Sequence, residues 1–450
     1  MAKNLNMTQG NPTKLLFFFS LPLMLGNVFQ QLYTVVDTAI VGRGVGMQAL
    51  AALGTVDWLG WLFLGIAQGF TQGFGVRIAQ KFGKQDLPGM RQVIGQAAFL
   101  SILLAIVGTA VGQAFLPVFL KLLRVPVQLQ QMATLYIRIL LAGFPAMVFY
   151  NFCSAVLRAV GNSKTPLYAM VVASLSNIVL DAVAVFLLHW GIAGAAAATV
   201  FSHFLSGLIC AIAIMRTPVL RFTFQDMQPQ AHGCKKLIFL GSPIAAKNII
   251  IALGGMVVQT IVNGFTLSFI AGFTATNKLY GLLEIAATSY GYAVTTYVGQ
   301  NFGAAAIDRI RRGIRSATGL AVATSLVIAG IMFVFGREIT MIFISREDAA
   351  LAAAAGEIAY RYLCVMSISL PMLYLLYVYQ AGLQGMGNTL IPMSSGIVEF
   401  CLRVSLSMLI AFTGFQEGIF LAEVSAWWGA AIVLFFGYLI HFRKYWKNAK

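Results

Sequence analysis

The sequence predicts an all-α membrane protein with twelve transmembrane helices arranged as two parallel-repeat six-helix bundles. Composition, the length of the apolar stretches and an internal duplication together predict it. Of 450 residues, 59% are hydrophobic and 10% are charged, whereas a soluble domain is about a quarter charged. A hydrocarbon core about 30 Å thick needs about 20 apolar residues per helical span. Stretches of that length fall at 14–41, 50–77, 94–117, 131–156, 165–189, 192–215, 237–262, 268–297, 316–336, 358–382, 391–413 and 418–441. Lipid cannot satisfy exposed backbone N–H and C=O groups, so each stretch is expected to be helical. The short alternating segments of a transmembrane barrel are absent from the sequence.

The duplication is read from matching residues. Residues 157–166 read LRAVGNSKTP and residues 383–392 read LQGMGNTLIP, and the same spacing carries Pro145 onto Pro371. Val35-Val36-Asp37-Thr38 answers Val257-Val258-Gln259-Thr260, Gln80-Lys81-Phe82-Gly83 answers Gln300-Asn301-Phe302-Gly303, and Pro22 answers Pro243. The most polar internal stretch, 217–236, reads as a linker, which divides the chain into an N-terminal bundle (1–222) and a C-terminal bundle (223–450). Each half holds an even number of spans, so both enter the membrane in the same orientation. Parallel repeats of this kind place a substrate pathway between the halves and let them rock, which points to a transporter. Pro22, Pro145, Pro243 and Pro371 all fall within expected spans. A proline there removes a backbone hydrogen bond and bends the helix, so these four are candidate hinges or static kinks.

A net charge of +16 would suggest nucleic acid in a soluble protein. Here the basic residues follow the positive-inside pattern instead. Lys14, Arg77, Lys81, Lys84, Arg91, Arg158, Lys164, Arg216, Arg221, Lys235, Lys236, Arg309, Arg311, Arg312, Arg315 and the tail from Arg443 fall on one side. Only Arg43, Lys121, Arg124, Arg337 and Arg346 fall in the opposite loops. The pattern predicts a multi-pass protein of the plasma (cytoplasmic) membrane with both termini cytoplasmic and no nucleic-acid partner. Leu15–Phe29 is apolar but lacks a small-residue cleavage motif, so it is expected to remain as the first span. The five cysteines and four histidines show no metal, disulfide or catalytic spacing, so neither an enzyme nor a cofactor is expected.

Charges inside a span cost about 2.5–3.5 kcal/mol by insertion scales, so they call for a partner or a task. The first span carries Asn27, Gln30, Thr34, Asp37 and Thr38 at three- and four-residue spacings, hence on one face. The fifth repeats the device with Ser174, Asn177 and Asp181, and Thr199 and Asn151 are candidates to complete an oxygen-rich cluster. Carboxylate, amide and hydroxyl oxygens are hard ligands for Na⁺, and a buried carboxylate pair can equally hold a proton. Gln30, Tyr33 and Thr34 are candidate substrate contacts. In the C-terminal half Lys247, Lys278, Glu284, Arg361, Glu399 and Arg403 offer both signs. Glu399 and Arg403 are four apart and form a candidate structural ion pair, and Lys247 is placed to reach Glu284.

The two-half layout, Gly-Asn-Ser-Lys-Thr-Pro after the fourth span and Gln-Asn-Phe-Gly-Ala after the eighth resemble the MATE (multidrug and toxic compound extrusion) transporters across nearly the whole chain. The resemblance is closest to the DinF-like branch, whose first-span aspartate, fifth-span Asn-x-x-x-Asp pair and sixth-span threonine correspond to Asp37, Asn177, Asp181 and Thr199. It implies an antiporter that exports a small organic compound, often cationic or amphipathic, in exchange for H⁺ or Na⁺. Na⁺ would sit at Asp37, Asn177, Asp181 and Thr199, and the protein would act as a monomer without a cofactor. The NorM-like branch also uses acidic residues on spans seven and ten; here those spans offer Lys247, Gln259 and Glu357. The alternative is a lipid-linked oligosaccharide flippase of the same superfamily, which would need deep cationic groups where the N-terminal half supplies only Arg138.

Overall fold

A computed structural model describes residues 5–123, 125–344 and 349–449; Arg124, Arg346 and Lys450 lie outside them. The chain runs through α1 (Pro12–Gly44), α2 (Met47–Gly83), α3 (Leu87–Leu122), α4 (Val127–Ala142), α5 (Phe144–Ala159), α6 (Lys164–Ala182) and α7 (Gly191–Arg216). It continues through α8 (Ala231–Val262), α9 (Leu267–Gly303), α10 (Ile307–Met341), α11 (Ala349–Gly385), α12 (Leu390–Thr413) and α13 (Ile419–Ala449). Every expected span falls on a helix, and the described residues contain no strand. Many large apolar side chains point outward, among them Val127 at 82% and Phe412 at 91% exposure, a surface suited to lipid rather than water.

Two spans depart from a uniform apolar rod. The fourth is broken: α4 and α5 meet at Gly143 with a 44° bend and count as one passage only together. Gly143 is a weak helix former, and α7 presses on it so closely that an added Cβ would lie 2.1 Å from Val200 Cγ2. Pro145 therefore opens α5 rather than kinking a continuous helix, while its counterpart Pro371 lies inside α11. The eighth span, α9, is long but is not among the helices apolar enough to pass as a membrane span; it carries Thr274, Thr276, Asn277, Lys278, Glu284, Thr288 and Ser289.

The duplicated motifs build the same turns twice. After α5, Gly161 has φ +83°, and after α11, Gly387 has φ +86°. Gly161 N–H donates to Arg158 O at 2.9 Å and Asn162 N–H to Leu157 O at 2.9 Å. Gly387 and Asn388 repeat this on Gln384 O and Leu383 O at 2.8 and 2.9 Å. The asparagines then cap the next helix, Asn162 Oδ1 accepting from Thr165 N at 3.0 Å and Asn388 Oδ1 from Ile391 N at 3.2 Å. Glycine takes the left-handed position and the asparagine side chain satisfies an orphan donor of the following helix. The α2–α3 and α9–α10 turns match as well, with Gln85 at φ 61° and Ala305 at φ 56°.

The chain forms two compact units, Met1–Met7 with Leu21–Ala246, and Thr8–Ser20 with Lys247–Lys450. They follow the two halves except that the opening stretch of α1 joins the second unit and that of α8 the first. The two crossing points lie close to Pro22 and Pro243. Within the first unit, Gly69 and Gly73 of α2 meet Ala245 and Gly241 of α8. An added Cβ on Gly73 would lie 2.5 Å from Gly241 Cα, and one on Gly69 would lie 2.4 Å from Ala245 Cα. Small residues spaced by four let the two backbones touch, which is how helices associate in lipid. In the second unit the ring of Phe269 stacks on Phe420, Phe420 on Tyr362 and Tyr362 on Phe273, joining α9, α11 and α13.

Candidate functional site

In the first unit α1 and α6 bring two carboxyl groups together at depth. Asp37 is 8% exposed and Asp181 is fully buried, and the two side chains lie within hydrogen-bonding reach of each other. Asn177, one turn before Asp181, and Ser174, one turn before that, are buried on the same face of α6. Asp37 Oδ1, both oxygens of Asp181, both amide atoms of Asn177 and the Ser174 hydroxyl find no hydrogen-bond partner among the described residues. Buried polar atoms are almost always satisfied, so this orphaned group is chemically suited to take up a proton or a hard cation. The oxygens fit a Na⁺ ion in kind.

Helix α6 does not end in regular geometry. It passes directly into a π-helical turn, Val183–Leu187, two residues beyond Asp181, and such turns recur at functional positions. Gly44 at the end of α1 seats against it, an added Cβ lying 2.3 Å from Val185 Cγ1. The turn is not visible in the apolar pattern of 165–189.

The remaining candidates are placed unequally. Tyr33 stands beside Gln30 and Thr34 and within electrostatic reach of both aspartates, so the proposed substrate contacts adjoin the pair. The Thr34 hydroxyl is committed to Gln30 O on its own helix at 3.0 Å. Thr199 is half-buried on α7 and its hydroxyl donates to Ala195 O at 3.1 Å. Asn151 is buried on α5 and donates to Met147 O at 2.9 Å. Neither shows a contact with the aspartates. Sequence reasoning passed over two neighbours, Tyr136 of α4 and Asp57 of α2. Tyr136 interacts electrostatically with Asp37, Asp181, Tyr33 and Asp57. Asp57 was detectable as a carboxylate inside the second span; Tyr136 carried no signal that separates it from a packing aromatic.

The second unit holds a different polar group. Arg403 of α12 donates from one terminal nitrogen, Nη2, both to Glu399 at 2.9 Å and to Glu423 of α13 at 2.8 Å, which makes a triad where a pair was expected. Lys247 of α8 is buried and donates to Gln380 of α11, and the Tyr377 hydroxyl donates to Glu284 of α9. Lys247 lies within electrostatic reach of Glu284 and Glu399. Gly396 makes room for it, since a Cβ there would lie 2.6 Å from Lys247 Cγ. Arg361, expected at depth, is instead exposed and bridges Glu357 and Glu417. Pro22, Pro243 and Pro371 all lie inside continuous helices.

Comparison with known proteins places these features. The MatE family model matches residues 22–183 and 243–409, one match in each half. The chain is 30% identical to the probable multidrug resistance protein YpnP of Bacillus subtilis over 93% of this chain and 92% of that one. It is 23% identical to an FAD transporter of Shewanella oneidensis over 89% and 88% of the two chains. In fold it superposes on a MOP superfamily transporter from Pyrococcus furiosus with a TM-score of 0.91 at 22% identity, covering 99% of each chain. A match to most of the sequence, repeated in both halves, means that the chain belongs to the MatE family of membrane transporters.

Proposed function

We propose that this protein is a secondary active antiporter that exports organic, often cationic or amphipathic compounds in exchange for H⁺ or Na⁺, with Asp37 and Asp181 as its coupling pair. The observation that carries the reading is the buried carboxyl pair on α1 and α6, with Asp37 Oδ1 and both Asp181 oxygens left without donors beside Asn177 and Ser174. Two carboxylates this close repel each other, and a proton or Na⁺ between them removes the repulsion. The same charge attracts a cationic compound, so ion and substrate compete for one negative site. Gln30, Tyr33 and Thr34 adjoin the pair and are the substrate contacts in this reading. Asn177 and the lone pairs of Thr199 supply further oxygens for Na⁺, and Asn151 acts as a supporting neighbour. Asp37, Asn177, Asp181 and Thr199 also carry the likeness to the DinF-like branch.

The reading takes the protein as a monomer in the plasma membrane, and the distribution of basic residues supports cytoplasmic termini. The halves 1–222 and 223–450 act as the two moving bodies, with Pro22, Pro145, Pro243 and Pro371 as hinge candidates. The test is transport of a fluorescent organic cation in proteoliposomes, driven by an imposed pH gradient or an imposed Na⁺ gradient. Asp37→Asn and Asp181→Asn should each abolish gradient-driven transport while the protein remains folded in the membrane. Efflux at the wild-type rate in both variants would remove the pair from the mechanism.

A further inference from the structure

One polar network of the second unit gathers more carboxyl groups than cations, with Glu284 and Glu423 half-buried. Around one point lie Lys247 of α8, Glu284 of α9, Glu399 and Arg403 of α12 and Glu423 of α13. Lys247, Glu399 and Arg403 are at most 5% exposed, and the Glu423 side chain is 18% exposed. With every group ionised the set is two positive against three negative, an uncompensated charge at a depth where such charges are strongly disfavoured. Glu399 and Glu423 are both held by Arg403 through charge-assisted hydrogen bonds. Lys247 donates to a side-chain amide oxygen, that of Gln380. Glu284 is thus the carboxyl whose hydrogen-bond donor is neutral, the Tyr377 phenol.

We propose that this network is a second proton-binding site, that Glu284 holds its exchangeable proton, and that it titrates separately from the Asp37–Asp181 pair. A proton from water forms one O–H bond on the Glu284 carboxylate, nothing leaves, and the network passes from one net negative charge to neutral. The groups facing Glu284 come from every packed element. They are Lys247 from α8, Tyr280 from its own helix, Tyr374 and Tyr377 from α11, Glu399 from α12 and Glu423 from α13. From α10, Thr324 comes in to hydrogen-bond Tyr290 of α9 at 2.9 Å. A metal ion is a poorer occupant than a proton, because it needs several free oxygens. The oxygens of Glu399 and Glu423 already serve Arg403, and two cations adjoin the site.

The test uses the full-length protein carrying Asp37→Asn and Asp181→Asn, so that the aspartate pair is silent, with Asp57→Asn added to remove the carboxyl inside the second span. Infrared difference spectra recorded from about pH 5 to about pH 9 should show the C=O stretch of one protonated carboxyl, titrating as a single proton. Glu284→Gln in that background should abolish the band, with glutamine standing in for the protonated acid and preserving the fold. Tyr377→Phe should retain the band but shift it, because the phenol that touches Glu284 is gone; this variant also decides the matter should Glu284→Gln fail to fold. Persistence of an unshifted band in both variants, or no titrating band in the background protein, would overturn the proposal. Loss of the band on replacing choline chloride by NaCl at constant pH would assign the site to a metal cation instead, and equally overturn it. Transport by Asp37→Asn in vesicles is a separate readout, so a failure of the coupling pair leaves the infrared result intact.

Discussion

At the scale of single residues, the buried triad makes a prediction that a simple ion pair would not. Were Glu399 and Arg403 alone, removing both would cost less than removing one. Because Arg403 also serves Glu423, the double variant Glu399→Gln/Arg403→Gln still leaves a carboxylate buried without its cation. We expect Arg403→Gln to cost about 3–5 kcal/mol and the double variant to recover little of it, read as the loss of thermal stability in detergent. Restoration by the double variant would mean that Glu423 is not part of the group. A second residue lies outside the membrane. Asp86 accepts from Gly89 N at 3.0 Å at the start of α3 and pairs with Lys81 at 2.5 Å. The Lys81 ammonium, followed by the Gly89 N–H, holds its carboxyl below the usual carboxylate range. A group lowered on folding adds stability above its unfolded value, and that stability is lost as the pH falls through the folded one. The deficit of Asp86→Ala, about 1 kcal/mol for a lost cap, should therefore be full near neutrality and shrink in acid. A deficit that is the same at every pH would show that the carboxylate charge plays no part.

At the scale of helices, the α2–α8 crossing and the break between α4 and α5 depend on glycines that hydropathy cannot weigh. Gly73→Val inserts a side chain where Gly241 backbone already lies 2.5 Å from the first added atom. The two helices must separate, at about 1–3 kcal/mol for an overpacked contact, visible as a lower unfolding temperature. An unchanged temperature would mean the crossing is not a tight contact. The apolar pattern correctly reads every passage as helical, because burial in lipid forces the same backbone geometry on each. It misses the bend at Gly143 and the π-helical turn after Asp181, since both arise from what neighbouring helices press against them: Val200 on the first, Gly44 on the second.

At the scale of the whole molecule, export driven by an ion requires ion and substrate to oppose each other's binding. In the proposed mechanism a proton or Na⁺ at Asp37 and Asp181 removes the charge that draws in a cation, and by linkage the substrate weakens ion binding by the same factor. A coupling of about 1–3 kcal/mol corresponds to about 5–150-fold in affinity. Affinity for a cationic fluorophore, measured in detergent across neutral pH with and without Na⁺, should fall at low pH or high Na⁺, and Asp37→Asn should flatten that dependence. An affinity indifferent to both ions would rule out direct competition at the pair.

The sequence by itself determined the class, the helical passages, the duplication and the polar faces that carry Asp37 and Asp181. Each of these follows from local composition and spacing: twenty apolar residues must span, matched turns need the same Gly-Asn, and residues three or four apart share a face. Only the tertiary structure decided which faces meet. It set Asp37 beside Asp181 and brought in Tyr136. It turned the side chains of Thr199 and Asn151 to their own backbones, moved Arg361 to an exposed ionic chain, and added Glu423 to what the sequence showed as a pair. Those outcomes depend on helix rotation and close approach, which are set by contacts between residues far apart in the chain and leave no periodic trace along it.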